Sequence, residues 1–258
     1  MNPIDWDVRS YETIDSTNLE ARRLLEGGAS AGLVVTARHQ TGGMGRMGRG
    51  WLDQPGKSLI VSLVLEGAGG FESSMLVALS ARAAVAAAGG RGPRFKWPND
   101  LVYGAKKVGG ILSEVYRAKG TASAASTGSG RGRIIVGLGL NVGYLPGELD
   151  IPAKLPPTSL VIEEGKIWDP DELLHGLLRE LQARWEGSRE EWLSEYRGNL
   201  ACIGESIRVS PPFAVLDGAA DPREDIVGVM EGIDDAGNLV LRVGERTLRL
   251  ASGDIHPQ

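Results

Sequence analysis

The 258-residue chain is poor in cysteine and histidine. Cys202 is its one cysteine, and its three histidines, His39, His175 and His256, are widely separated. A lone cysteine cannot form a disulfide within the chain, which is typical of proteins from a reducing compartment. The cysteine and histidine positions do not have the spacing of a zinc site. We therefore expect a cytoplasmic protein in which Cys202 has a structural role.

The chain also lacks an excess of positive charge and any long apolar run. Its net charge is −5 and its isoelectric point is about 5.4, whereas proteins that bind nucleic acid usually present a basic surface. No apolar run approaches the roughly 20 residues that a helix needs to cross a bilayer. The first ten residues do not have the layout of a signal peptide. We expect neither a nucleic-acid partner nor a membrane partner.

The patterns that are present predict helices and strands that alternate over the first 200 residues. Ser16, Thr17 and Glu20 predict a helix with a side-chain cap, ending near Gly27. Asp169 and Pro170 predict the start of another helix, as its cap and its first helical residue. Further helices are predicted at 73–88 and 190–200, and strands at 32–37, 58–65, 95–101, 106–116 and 133–142.

Two segments differ in composition from the rest. Residues 120–132 are rich in glycine, serine and alanine, which predicts a mobile hairpin loop between two paired strands. From Cys202 onward, short segments alternate between apolar and polar residues and are separated by turns, which predicts a small all-β unit. We place a domain boundary near Leu200, which divides the chain into residues 1–200 and 201–258.

A glycine-rich loop runs from Gln40 to Trp51. Closely spaced glycines let the backbone approach a ligand and point several N–H groups in one direction. Arg46 and Arg49 add cations that can bind phosphate or carboxylate oxygens. The segment does not match a Walker loop or a dinucleotide-binding fingerprint. A flexible surface loop is the alternative interpretation.

Two lysine-containing motifs follow. Lys96, Asn99 and Asp100 lie in the motif KWPNDL and could bind a phosphate and Mg²⁺ together, although a simple turn with one lysine is the alternative. In the motif KKVGGIL, Gly109 and Gly110 within a strand allow close approach of a ligand, and the lysine before them could neutralise an anion. The alternative there is an exposed lysine pair before an ordinary strand.

A third motif, GLGLNV at 137–142, has alternating glycines. These glycines thin one face of the predicted strand and leave room for a ring system, unless they serve tight packing of the sheet. None of the motifs decides the function when it is taken alone.

In order and combination, the motifs resemble the biotin protein ligase family. The resemblance covers about residues 11–160, and the C-terminal β unit matches the small terminal barrel of that family. Met44 and Met47 stand where the family loop, usually GRGRRGR, has arginines; at position 44 the family contacts biotin largely through the backbone. The matching motifs are STN at 16–18, GGMGRMGR at 42–49, KWPND at 96–100, KKVGGIL at 106–112, GLGLNV at 137–142 and PTSL at 157–160.

The resemblance implies an α/β (α+β) fold with a mixed, mostly antiparallel sheet, helices on one side of that sheet, and a small C-terminal β-barrel domain. Residues 1–200 would form the catalytic domain that binds biotin and ATP, and residues 201–258 the barrel. Some members begin with a DNA-binding helix-turn-helix, for which we expect the 15 residues before Ser16 to be too few.

The resemblance also implies the reaction and the residues that carry it. The protein would use ATP to convert biotin into biotinyl-5'-AMP and would transfer the biotinyl group to a lysine of a biotin carboxyl carrier protein domain of a biotin-dependent carboxylase. Lys107 and Arg46 would be catalytic, and Asp100 would hold Mg²⁺ with ATP. Biotin contacts are expected at Ser16, Thr17, Asn18, Gln40, Gly43, Met44, Gly45, Arg46, Lys107, Gly109 and Gly110, and contacts to ATP and the adenylate at Arg46, Arg49, Trp51, Lys96, Asn99, Asp100 and Asn141.

Three other functions compete with this interpretation. A lipoate ligase would use the same chemistry on a related fold, but the loop and KWPND motifs favour biotin. A biotin-responsive DNA-binding repressor is disfavoured by the net negative charge and the short N-terminus. A non-catalytic nucleotide-binding module is disfavoured by Lys107 and Arg46. The sequence leaves open a homodimer, the identity of the carboxylase and the order of substrate binding.

Overall fold

The computed structural model describes residues 4–67, 69–117, 132–149, 155–217 and 224–258. The hairpin loop predicted at 120–132 lies outside the described residues, apart from Gly132. Within the described ranges, no helix is both long enough and apolar enough to cross a lipid bilayer.

The described part of the chain contains one large sheet of seven strands. Their order across the sheet is β1-β2-β3-β7-β6-β5-β4; β1 pairs with β2 in parallel, and every other pair is antiparallel. The prediction of a mixed, mostly antiparallel sheet is thus confirmed. The strands are β1 (Asp7–Ile14), β2 (Leu33–Gln40), β3 (Ser58–Glu66), β4 (Arg94–Lys96), β5 (Asp100–Tyr103), β6 (Lys106–Tyr116) and β7 (Arg133–Asn141).

Two strand assignments made from the sequence were incomplete. Strand β1 was not predicted, because it lies at the edge of the sheet and most of its side chains are exposed, so that its sequence lacks an apolar pattern. The segment 95–101, predicted as a single strand, is a tight hairpin in which Lys96 of β4 pairs with Asp100 of β5. The hairpin brings these two charged residues together at one end of the sheet.

The four predicted helices are present close to their predicted positions, whereas a short helix at Leu160–Glu164 was not predicted. Asp169 accepts a hydrogen bond from the N–H of Asp171 and precedes a proline at the first helical position, as predicted. The predicted side-chain cap of the first helix is wrong: Ser16 is the residue at the cap position and its side chain accepts no cap hydrogen bond, while Thr17 already lies within the helix. The helices are α1 (Thr17–Glu26), α2 (Gly70–Ala87), α3 (Leu160–Glu164), α4 (Pro170–Trp185) and α5 (Arg189–Gly198).

Helices cover both faces of the sheet, so the prediction of helices on one side only is wrong. Along β3, Val61 and Leu63 belong to the same core cluster as α2 and α4, whereas Val64 packs with α1 on the opposite face. Strand β3 is buried and apolar on both faces, and each apolar face must be covered by another layer. The sheet is therefore the middle layer of this part of the protein.

The C-terminal segment forms a closed antiparallel barrel of four strands within the described ranges, which confirms the predicted small barrel. The strands are β8 (Ser206–Asp217), β9 (Ile226–Ile233), β10 (Leu239–Val243) and β11 (Arg246–Pro257), in the order β10-β11-β8-β9. Cys202 is buried in a turn before the barrel, with a positive φ of 64°, and does not begin a strand.

The barrel shares its core with the rest of the protein. Ile207, Val209 and Leu239 belong to the same cluster of buried side chains as the helices that cover the sheet. The indole Nε1 of Trp97, which follows β4, donates a 3.0 Å hydrogen bond to the carbonyl of Gly237 in a barrel turn. The barrel is thereby held beside the end of the sheet, and the domain boundary near Leu200 remains a prediction.

Candidate active site

A cavity of about 470 Å³ lies over strands β6 and β7, between the glycine-rich loop and strand β11 of the barrel. The first residues of α1 lie at one end, and the β4–β5 hairpin lies at the other. The predicted site residues that line this cavity are Ser16, Thr17, Asn18, Gln40, Met44, Gly45, Arg46, Arg49, Trp51, Lys96, Asn99, Asp100, Lys107, Gly110 and Asn141.

Gly43 and Gly109 are the two predicted site residues outside the described lining of the cavity. A Cβ atom on Gly43 would lie 2.7 Å from the carbonyl oxygen of Trp51, and one on Gly109 would lie 2.7 Å from the carbonyl oxygen of Gly139. Both distances are far below van der Waals contact. These glycines therefore serve close packing of the backbone beside the site, and their contact with biotin remains a prediction.

The end of the cavity at α1 is lined by buried polar side chains. The amide oxygen of Gln40 on β2 accepts a 2.8 Å hydrogen bond from the backbone N–H of Thr17. The Ser62 hydroxyl on β3 lies 2.8 Å from the Thr17 hydroxyl and 2.6 Å from the amide oxygen of Asn18. Ser16, Thr17, Asn18 and Gln40 are all less than a tenth exposed. Buried groups of this kind can recognise a polar ligand because water does not compete strongly for them.

The alternating glycines of β7 accommodate side chains of the protein itself. A Cβ atom on Gly137 would lie 2.4 Å from the amide oxygen of Asn18, and one on Gly139 would lie 2.5 Å from the indole ring of Trp51. The sequence left open whether these glycines make room for a ligand ring or for packing. The structure shows that packing of Asn18 and Trp51 takes this space, while both glycines still border the cavity.

Lysine side chains converge on Asp100 at the opposite end. The Lys107 ammonium lies 2.6 Å from one carboxylate oxygen of Asp100, and the Lys96 ammonium lies 3.9 Å from the other. Lys96 is buried, and burial lowers the pKa of its ammonium group, whereas the Asp100 carboxylate acts in the opposite direction. The backbone of Lys107 is anchored on both sides, since its N–H donates to the carbonyl of Pro156 and its carbonyl accepts from the N–H of Thr158.

The glycine-rich loop is held against the barrel by arginines. Arg49 forms an ion pair with Asp254 of β11 at 3.1 Å. The Arg46 guanidinium donates to the side-chain oxygen of Asn99 at 3.2 Å and lies 3.7 Å from Asp254. Burial lowers the pKa of Arg46, and the neighbouring Asp254 and Asp100 carboxylates oppose this effect. The loop therefore forms a wall of the cavity that is fixed at its middle by charged contacts.

Sequence reasoning missed the contribution of the barrel to the site. Asp254, Ile255 and His256 line the cavity, although none of them lies in a motif that pointed to a ligand. Asp254 is separated from Arg46 by about 200 residues in the sequence, and its role follows only from the way the barrel packs. The sequence shows at this position only an aspartate in a strand of the β unit. Aspartates of this kind are common on the surfaces of unrelated proteins.

The described lining has an excess of positive charge. It contains the cations Arg46, Arg49, Lys96 and Lys107 and the carboxylates Asp100 and Asp254. Such a lining stabilises an anionic ligand, because a desolvated anion gains most from fixed cations nearby. Within the described ranges, no group of three or more histidine, cysteine, aspartate or glutamate side chains is placed so that it could hold a metal ion.

Comparisons with known proteins agree with this architecture. The profile of the Biotin/lipoate A/B protein ligase family matches residues 10–131, and the profile of the Biotin protein ligase C terminal domain matches residues 219–256. Both profiles describe protein ligases, and together they place the likeness to ligases in the sheet-containing part and in the barrel.

Individual relatives narrow the class further. A biotin–[acetyl-CoA-carboxylase] ligase of Mycobacterium tuberculosis is 32% identical over 93% of this chain and 85% of its own length, and one of Paracoccus denitrificans is 36% identical over 88% and 91%. The structure of the biotin protein ligase from Aquifex aeolicus in complex with biotin and ATP is similar over 98% of both chains, with a TM-score of 0.74 and 26% identity. The chain belongs to the biotin protein ligase family.

The packing at β7 makes Gly137 a testable position. Substitution Gly137→Ala places a methyl group on the Asn18 amide and should lower the free energy of unfolding by about 1–3 kcal/mol, the usual cost of overpacking a buried site. Urea unfolding measures the change. Gly143→Ala, just beyond the same strand, is the matched control, because its nearest contact would be an ordinary 3.8 Å. Equal stability of the two variants would contradict the proposed fit of Asn18 against Gly137.

Proposed function

We propose that this enzyme joins biotin to AMP, using ATP, and then passes the biotinyl group from biotinyl-5'-AMP to a lysine of a biotin carboxyl carrier protein domain. The observation that carries the proposal is the arrangement of one cavity with buried neutral hydrogen-bonding groups at one end and clustered cations at the other. Biotin has matching ends, a neutral ureido ring and a carboxylate. A volume of about 470 Å³ is typical of sites for small molecules.

The ureido ring is assigned to the end formed by α1 and β2. Ser16, Thr17, Asn18 and Gln40 lie there, as the resemblance implied, and Met44 and Gly45 border the same cavity through the glycine-rich loop. The apolar side chains of Ile60, Leu112 and Leu138 line the cavity and suit the carbon skeleton of the ligand. Neutral polar groups in a buried setting favour a neutral urea over a charged group.

The carboxylate and the phosphates are assigned to the cationic end. Activation brings the biotin carboxylate to the α-phosphate of ATP, and two anions approach only if nearby cations offset their repulsion. Lys107, Lys96, Arg46 and Arg49 lie where they can do this. The carboxylate oxygen attacks the α-phosphorus and pyrophosphate leaves. The amine of the acceptor lysine then attacks the acyl carbon and AMP leaves, so no nucleophile of the enzyme is required.

Trp51, Asn99 and Asn141 complete the proposed nucleotide site. Trp51 lines the cavity, with the Lys107 ammonium 5.9 Å from the centre of its ring. The Asn141 side chain donates a 3.0 Å hydrogen bond to the carbonyl of Thr158, and that of Asn99 donates one of 2.8 Å to the carbonyl of Ile111. Both amides are therefore held in defined orientations beside the space that we assign to the adenylate.

Mg²⁺ is proposed to enter as a complex with the ATP phosphates. Protein sites for Mg²⁺ usually supply one or two carboxylates and leave the remaining positions to phosphates and water. Asp100 is the carboxylate assigned to this role. Since Asp100 also pairs with Lys107 and Lys96, the phosphates of ATP supply most of the ligands in this proposal.

The remaining partners and the compartment are proposals of the same kind. The buried, unpaired thiol of Cys202 supports a reducing compartment, for which we propose the cytoplasm. Self-association as a homodimer and the absence of a nucleic-acid partner remain predictions. Lipoate ligation is not favoured, because the relatives at 32–36% identity are biotin ligases.

Carrier modification is the direct test of the proposed function. The enzyme should add a biotinyl group to one lysine of a biotin carboxyl carrier domain in the presence of biotin, ATP and Mg²⁺, as measured by mass spectrometry. Lipoate replaces biotin in a parallel reaction. Modification with lipoate but not with biotin would contradict the proposal.

Lys107→Ala should reduce biotin-dependent ATP–pyrophosphate exchange by about 100-fold or more, because it removes the cation closest to the paired anions. Lys106→Ala is the matched control: this lysine is half exposed, pairs with Glu163 and should retain activity within about twofold. Near wild-type exchange in the Lys107 variant would remove Lys107 from the catalytic machinery.

Arg46→Gly should uncouple adenylate formation from transfer. The loss of one charge-assisted hydrogen bond corresponds to a roughly 10- to 150-fold loss in retention of the adenylate, while Lys107 and Lys96 still support its formation. Biotinylation of an unrelated lysine-rich protein, detected by blotting, should therefore rise.

Met47→Gly is the control for Arg46→Gly. Met47 has a φ of 57°, which glycine adopts readily, so this change alters the same loop but keeps its cations. Bystander labelling at the wild-type level in Arg46→Gly, or an equal rise in Met47→Gly, would show that the guanidinium does not retain the adenylate.

A further inference from the structure

A chain of hydrogen bonds extends from the cavity to Glu114 on β6, a residue outside the described lining. One carboxylate oxygen of Glu114, Oε2, accepts a 2.8 Å bond from the Asn18 side-chain nitrogen, and the other, Oε1, lies 3.5 Å from Arg22. Asn18 in turn contacts Ser62, Ser62 contacts Thr17, and Thr17 contacts Gln40. This hydrogen-bond chain thus crosses the sheet from β6 over β7 to β3 and ends on β2.

The inner part of this hydrogen-bond chain has more oxygen–oxygen contacts than hydroxyl protons to fill them. Three oxygen–oxygen contacts follow one another: Asn18 Oδ1 to Ser62 Oγ at 2.6 Å, Ser62 Oγ to Thr17 Oγ1 at 2.8 Å, and Thr17 Oγ1 to Gln40 Oε1 at 3.1 Å. Each hydroxyl carries one proton, and amide oxygens carry none. The two hydroxyl protons can satisfy two of the three contacts. The third contact then joins two acceptors without a proton between them.

Glu114 keeps this hydrogen-bond chain one proton short. An ionised carboxylate only accepts hydrogen bonds, so Asn18 must turn its nitrogen toward Glu114 and its oxygen toward Ser62. Ser62 can then donate to Asn18, and Thr17 can donate either to Gln40 or to Ser62. When Thr17 donates to Ser62, the contact left without a proton is the longest one, between Thr17 and Gln40, and a ligand N–H group can enter there. The Gln40 oxygen cannot be exchanged for its nitrogen, because it accepts from the backbone N–H of Thr17.

We propose that Glu114 is a positioning residue for biotin. Its carboxylate leaves the hydrogen-bond chain one proton short, so that Thr17 and Gln40, which both line the cavity, can present acceptor oxygens to an N–H group of the ureido ring. An N–H group of the ligand then supplies the proton that the hydrogen-bond chain lacks. This inference rests on the proposed function, since it names how that site recognises its acid substrate.

A hydrogen-bond donor at position 114 has the opposite effect. Asn18 can then turn its oxygen toward residue 114 and donate from its nitrogen to Ser62. Ser62 donates to Thr17 and Thr17 donates to Gln40, so that three protons satisfy three contacts. The Gln40 oxygen already accepts two hydrogen bonds in that arrangement, and the ureido N–H group meets a saturated acceptor.

Glu114→Gln is the isosteric test of this proposal. Titration calorimetry without ATP should show biotin affinity weakened by about 5- to 100-fold, the range for one lost hydrogen bond in a buried site. The KM for ATP and the kcat for carrier biotinylation at saturating biotin should stay within about twofold, because the cationic end of the cavity is unchanged. Arg22→Gln is the control: it removes the ion pair with Glu114, keeps the bond to Asn18, and should leave biotin affinity within about twofold.

A second substitution should rescue the first. Asn18→Asp in the Glu114→Gln background provides a side chain that accepts both from residue 114 and from Ser62, which restores the original direction of the chain. The double variant should regain most of the lost biotin affinity, whereas Asn18→Asp alone places two carboxylates together and should bind biotin more weakly than wild type.

Three results would overturn the proposal: unchanged biotin affinity in Glu114→Gln, an equal loss in Arg22→Gln, or no recovery in the double variant while thermal unfolding shows that it is folded. Wild-type protein that does not bind biotin at all would instead overturn the proposed function, and this inference with it.

Discussion

The site depends on the close contact between the start of α1 and the middle of β7. Gly137 has no side chain, and Asn18 lies directly against it; Gly139, two residues along, accommodates the Trp51 ring in the same way. Because these positions face the same side of the strand, one short segment of β7 receives both the end of a helix and the end of the glycine-rich loop. A larger side chain at either position would separate the elements that enclose the cavity.

The two ends of the cavity differ in their physical character. At the α1 end, the groups are neutral and buried, and they are joined to one another by short hydrogen-bond contacts. At the other end, Lys96 and Lys107 share Asp100, and Arg46 and Arg49 share Asp254, so that each carboxylate holds two cations near the cavity.

The barrel contributes side chains both to the cavity and to the hydrophobic core. Its strand β11 supplies Asp254, which pairs with the loop arginines, and its turn at Gly237 accepts the hydrogen bond from Trp97 beside the β4–β5 hairpin. The same hairpin carries Lys96 and Asp100. Displacement of the barrel would therefore disturb both the loop and the lysine pair, which ties the stability of the C-terminal unit to the geometry of the cationic end of the cavity.

Much of the fold followed from local patterns, and most of the candidate site followed from the family resemblance of the motifs. The capped start of α4, the alternating strands of the barrel and the motifs around Lys107 and Arg46 are encoded within a few neighbouring residues, and fifteen of the seventeen predicted site residues line one cavity. The tertiary structure alone decided that β1 forms the edge of the sheet, that α1 covers the second face, that Asp254 faces Arg46, and that Glu114 orients Asn18. The residues in these pairings are distant in the sequence. They come together because layers of the fold pack on one another, and no single segment specifies that packing. A local pattern records which face of an element is apolar, but it does not record which other element covers that face.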